Sequence, residues 1–360
     1  MKIGAFGVVN LDIGTVETGA SLQVEDFGVV NPSTYLFNNG GSILMKGPAA
    51  AATGFVANNF GLLQGTGSFL NGLNNGLGGT IRAQTGDHLI IHGTGPTSSG
   101  RIELAGGTVE YMRTLSNLAG GVISGRGVFR GSSAVAGGIG LSNLGLVQFS
   151  GGFTDIHGSV SNTSGGKIMV SGNGLLTLFQ NLQHGGSEVR VSEGSALVCF
   201  GLVTGPGPFT GGGDVFLEGG YSPGSSPAKV GFAASLLLGP ENVLTMEIGG
   251  TSAGSGYDQL EFSDGGEFVL GGTLEVKLIG GFVPQLGDMF RLFESAKMIG
   301  SFDKIVLPPL PEGLAWNDDL LESKGVLLIT EDMTDSDFDG LPDYWELQHF
   351  GNLGQTGTGD

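Results

Sequence analysis

The chain has 360 residues, 71 of them glycine, and only 14% of its residues are charged. Interior glycines each cost a helix about 1 kcal/mol relative to alanine, which excludes a helical protein, and glycine without a three-residue repeat excludes collagen. So few charged residues with 39% hydrophobic residues argue against disorder, and a formal charge of −19 argues against nucleic acid or anionic membrane surfaces as partners.

No stretch is apolar for long enough to span a membrane as a helix. The N-terminus has one basic residue, Lys2, but Asn10 and Asp12 interrupt its apolar run, so it does not read as a signal peptide. It reads as the interior of a repeat, and the chain is expected to be a fragment of a longer protein.

From residue 1 to about 220 the sequence repeats loosely. The unit is an Asn or Gly-Gly turn, a short alternating strand, a Gly turn and a second strand. The clearest pair starts at Gly165-Gly166 and Gly185-Gly186, each followed by an aliphatic-aromatic strand, Leu175 to Phe179 and Ala196 to Phe200. A period near 20 with short strands predicts an all-β fold, a right-handed parallel β-helix. Ile168, Val170, Leu176 and Leu178 are the expected inward residues. Glycine at the corners is expected to supply positive φ, and Asn117, Asn143 and Asn162 to occupy left-handed turn positions. Phe129, Phe149, Phe179 and Phe200 read as stacked core aromatics, with an exposed carbohydrate-binding ladder as the alternative. The single cysteine, Cys199, permits no internal disulfide and reads as a small buried hydrophobe.

Two stretches invite chemical readings. Asp87, His88, His92, Arg101 and Glu103 concentrate polar groups that could form a saccharide-binding or lyase-type patch. His88 and His92 would lie about 13 Å apart on a strand, too far to share a metal. Gly250-Thr251-Ser252-Ala253-Gly254 matches a nucleophile elbow. That motif needs a following helix, and the sequence here leads into another strand, so Ser252 reads as a hairpin turn.

Near residue 220 the texture changes. Tyr-Ser-Pro-Gly-Ser-Ser-Pro (221–227), Leu-Thr-Met-Glu-Ile-Gly-Gly (244–250), Tyr-Asp-Gln-Leu (257–260), Gly-Gly-Thr-Leu-Glu-Val (271–276), Gly-Asp-Met-Phe (287–290), Gly-Ser-Phe (300–302) and Trp316 follow in order. This series over residues 221–330 resembles the C-terminal part of autotransporter-type passenger β-helices and related secreted repeat proteins of Gram-negative bacteria. The resemblance implies a secreted or outer-surface solenoid whose last coils are closed by this β-rich cap. No membrane β-barrel follows it in the sequence, so self-translocation is not carried over.

Residues 331–360 carry eight acidic residues and no Lys or Arg. Asp335 to Glu346 fits the twelve-residue calcium loop without a gap. Asp335, Asp337 and Asp339 stand at positions one, three and five, with Gly340 at six for the sharp turn. Leu341 at seven offers a carbonyl, Asp343 at nine binds directly or through water, and Glu346 at twelve closes the shell. Calcium is the expected cofactor, since these ligands are many, hard and flexible. The segment also resembles the calcium loops of dockerin-like and thrombospondin type 3-like repeats. A short helix carrying Tyr344, Trp345 and Leu347 should follow, with none before Asp335.

The sequence therefore reads as a non-enzymatic, adhesin-like solenoid with a calcium-stabilised tail. Its expected partners are cell-surface or extracellular matrix components or polysaccharide. The alternative is a β-helical polysaccharide-acting enzyme or carbohydrate-binding protein, which should gather acids and bases from successive coils into one groove.

Overall fold

The computed structural model describes the chain apart from residues 12–13, 33–36, 55–56, 133–137, 163–164, 186, 225–226, 264, 296 and 354–360. Gly186 of the second repeat and Ser225-Ser226 of the turn cluster thus lie outside the described residues. The chain winds into a parallel β-solenoid of about 11 turns. Each coil has three short sides. Strand Lys167–Leu178 covers two of them, bending at Gly172 and Asn173, whose φ values are +63° and +59°. Its first half pairs in parallel with Glu188–Val191 and its second half with Ala196–Cys199. The third side runs through Leu182–His184, parallel to Val203–Thr204.

Alternation decides the core. Ile168, Val170, Leu176 and Leu178 are buried, as their spacing predicts. Each such side chain contributes about 1.5–3 kcal/mol by leaving water. Cys199 is buried too, and burial pushes its thiol up to about 12. Phe129 and Phe149 lie inside, but Phe179 and Phe200 do not: they are 36% and 50% exposed. Leu178 and Cys199 already point inward, so the next residue in each strand must point out.

The asparagines do something other than turn the chain. Asn39, Asn59, Asn117, Asn143 and Asn162 end strands of the third side, are buried, and none has positive φ. They form a ladder along the rod. The Asn39 amide donates to Asn59 Oδ1 at 2.7 Å, Asn59 to Asn75 at 2.8 Å, Asn117 to Asn143 at 2.8 Å and Asn143 to Asn162 at 2.8 Å. The same amides reach the backbone of the coil beyond, as Asn143 does to the Lys167 carbonyl at 3.1 Å. A buried amide that stacks on its own copy one coil away is satisfied by repetition alone. Ser98 interrupts the series: it accepts from Asn75 at 3.2 Å, and Asn117 Oδ1 finds no partner among the described residues.

Glycine likewise has two roles at the corners. Gly125 sits at φ +104°, as expected of a turn. Gly61 does not have positive φ; a Cβ there would lie 2.1 Å from the Gly41 carbonyl oxygen of the preceding coil. This corner needs the missing side chain, not the left-handed backbone.

Early coils place hydrogen-bonded side chains about one coil apart, from 16 residues in Asn59–Asn75 to 26 in Asn117–Asn143. Parallel pairing continues without a break past residue 220, where the spacing grows to 30, as in Thr245–Glu275. The last coil strand is Lys304–Val306. Antiparallel ladders among named strands join only Met289–Arg291, Leu314–Asn317 and Val326–Glu331, which form a three-stranded cap with the helix Leu321–Lys324. Trp316 packs on Phe290 there and donates to the Pro308 carbonyl at 2.8 Å. No helix among the described residues is long and apolar enough to cross a membrane.

Candidate functional site

The tail leaves the cap at strand Val326–Glu331, so no helix precedes the loop. Asp332 folds the chain back by accepting from the Thr334 amide at 3.1 Å. The Asp343 amide then donates to the Thr334 carbonyl at 2.7 Å, closing residues 335–342 into a loop. Helix Asp343–Phe350 follows and carries Tyr344, Trp345 and Leu347. Tyr344, Leu347 and Gln348 line a cleft of about 450 Å³ with Glu312, Leu314 and Glu331 of the cap.

Asp335, Asp337 and Asp339 each offer a carboxylate oxygen within 4.8 Å of the others. The Asp335 carboxylate also shapes the turn, accepting from the Asp339 amide at 3.2 Å and the Gly340 amide at 2.9 Å. Gly340 has φ +93°, a conformation an L side chain resists. The Leu341 amide donates to Asp339 Oδ1 at 2.8 Å. Asp343 accepts from both the amide and the hydroxyl of Ser336, which holds its carboxyl below the usual range. Glu346 is fully buried on the helix. Partial desolvation, then the charges of Asp339 and Asp335, push Asp337 above the ordinary carboxylate range. Three negative charges at this spacing repel one another unless a proton or a cation intervenes.

The polar stretch upstream divides between two sides of the rod. Arg101 and Glu103 lie on the first side, where Glu103 binds Arg82 at 2.8 Å and Arg101 donates to Ser124 at 3.2 Å. His88 starts the second side and contacts Glu110 at 2.7 Å. Asp87 is used by its own turn, accepting from the Gln84 amide at 2.8 Å. These groups do not converge. Asp87 does border a shallow polar groove of about 510 Å³, with Lys46, Gln64, Thr66 and Gln84; its members come from three coils, so no local motif signals it. Ser252 sits in a tight turn whose carbonyl accepts from Gly256 and Tyr257, and strand Gln259–Phe262 follows rather than a helix.

Phe179 and Phe200 form an exposed ladder with His157. His157 and Phe179 stack at 4.3 Å and 9°, Phe179 and Phe200 at 5.6 Å and 22°. The rings stack on one another from coil to coil and stay partly open to solvent.

No protein-family model matches the chain, and no curated protein matches it. The reading of function accordingly rests on the repeat architecture and on the chemistry of the tail.

Proposed function

We propose that this chain is the displayed rod of a secreted or cell-surface protein of adhesin type, akin to autotransporter passengers, with a calcium-stabilised tail. One observation carries the reading: the only cluster of metal-ligating side chains among the described residues is Asp335, Asp337 and Asp339, in a loop with glycine at its sixth position. Calcium suits it because the donors are all hard oxygens on a short adaptable loop. Asp335, Asp337 and Asp339 would hold the ion, with the Leu341 carbonyl, Asp343 and Glu346 completing the shell. Such a loop is most useful where calcium is millimolar, which supports an extracellular setting. The ion neutralises the carboxylates and secures the helix bearing Trp345 against the cap. Titrating calcium on a Trp316→Phe background, while following Trp345 fluorescence, tests this. A saturable change that disappears in Asp339→Ala plus Glu346→Gln supports it; no change at millimolar calcium makes the loop an acidic linker. Labelling of intact source cells with an antibody to the rod tests the location.

The groove beside Asp87 favours a second reading, a carbohydrate-binding rod. Its mixture of amides, a hydroxyl, one cation and one carboxylate suits a neutral or weakly charged glycan. Polysaccharide retention by the wild type that Asp87→Ala or Gln64→Ala abolishes would put this reading first.

A further inference from the structure

The second side of the late coils has an outer surface unlike the others. Thr177, Val198, Phe216, Leu237, Val269 and Ile299 pair in unbroken register, one per coil, and each is at least partly exposed. At a coil rise of about 4.8 Å, the apolar part of this row is roughly 20 Å long. Phe179 and Phe200 lie beside it and widen it. Here the inner face is the core and the outer face has no cover among the described residues. A contiguous apolar strip of this kind marks an interaction surface.

Beside the strip Glu267 and Lys297 pair with each other, which leaves two carboxylates to select a partner. Asp214 opens the strand Asp214–Leu217 that carries Phe216, Glu218 follows its end, and the two flank Phe216 by two residues on either side, Asp214 exposed and Glu218 partly so. Neither makes an ion pair among the described residues. Four residues of extended chain put them about 13 Å apart, close to the diameter of an α-helix with its side chains. We propose that this face docks a cationic amphipathic helix. Its apolar stripe would lie along Val198, Phe216, Leu237 and Val269, and its lysines or arginines would meet Asp214 on one flank and Glu218 on the other. A second copy of this chain would bring the same carboxylates against these, and an anionic lipid surface would be repelled. The inference goes beyond the proposed function and does not depend on the calcium loop or on where the rod is displayed.

The test uses the full chain and a fluorescent peptide of about fourteen residues, long enough to span the strip as a helix. One peptide has leucine on one face and lysine on the other; a control of equal charge has serine in place of leucine. By anisotropy, the leucine-lysine peptide should bind saturably at one site, about tenfold or more tighter than the control. Phe216→Ser plus Leu237→Ser should weaken it by about tenfold, and Asp214→Asn plus Glu218→Gln should weaken it less while flattening its salt dependence. Circular dichroism checks that the variants stay folded, and Val269→Ser plus Ile299→Ser at the last coils is the replacement pair if they do not. Equal binding of both peptides, or unchanged binding by the apolar variants, overturns the proposal. So does concentration-dependent dimerisation abolished by Phe216→Ser, which would assign the face to a second copy.

Discussion

In the rod, Asn143 is fully buried, yet its amide is met by Asn162 and by the Lys167 backbone, because the next coil supplies the same groups again. In the tail, Asp335, Asp337 and Asp339 also converge, but nothing repeats to neutralise them. The charge balance follows the same division. Residues 1–220 hold 12 acids and 9 bases, and coil-to-coil pairs such as Arg82–Glu103 and Lys167–Glu188 use several of them. The last 30 residues hold 8 acids and no Lys or Arg. Repetition stabilises polar groups internally, whereas a single loop has no copy of itself to do so.

The sharpest break of this contrast is in the ladder. Asn143→Ala should cost about 3–4 kcal/mol, since it removes several bonds and leaves buried partners unsatisfied. Urea unfolding followed by circular dichroism would read this, and added calcium should not restore the loss. A cost below about 1 kcal/mol would mean the ladder merely fills space.

Asp258 gives the next largest effect. It is buried in the late coils and accepts from the Ala228 amide at 2.7 Å and the Glu247 amide at 2.8 Å. Desolvation raises its pKa from 3.8 to about 6. A raised acid binds its proton more tightly when folded, so its contribution is full below about pH 4 and declines as pH rises through 6, by about 2–3 kcal/mol at most. Asp258→Asn should remove that slope from a stability–pH series between pH 4 and 7. An unchanged slope would assign it to other carboxylates.

In the tail, Asp335→Asn should abolish the calcium-dependent Trp345 signal and leave the unfolding of the rod within about 0.5 kcal/mol of wild type. A matching loss in the rod would show that the two regions are one cooperative unit. Acidification should weaken calcium binding through Asp337, whose carboxyl is held above the ordinary range and takes up its proton more readily than a free aspartate.

The smallest effect is a gain. Ser98→Asn should complete the ladder between Asn75 and Asn117 and add about 1 kcal/mol. No gain would mean the coil spacing at Ser98 does not admit the longer amide.

Much of this was legible in the residues. The 20-residue Gly-Gly period and the alternation around Ile168 and Leu176 determine a parallel solenoid, because only stacked coils bury one face of so many short strands. The spacing from Asp335 to Gly340 determines where carboxylates meet, because a tight loop brings alternate residues to one point. Which side of a strand end faces out was not legible at Phe179 and Phe200, since burial there depends on where the corner falls. Nor was the role of Asn143, which sequence chemistry assigns to a turn. Its ladder exists only when the coils are in register, as does the apolar row from Val198 to Ile299. Local pattern determines what each coil is; lateral pairing between residues 16 to 33 apart decides what each side of the rod presents.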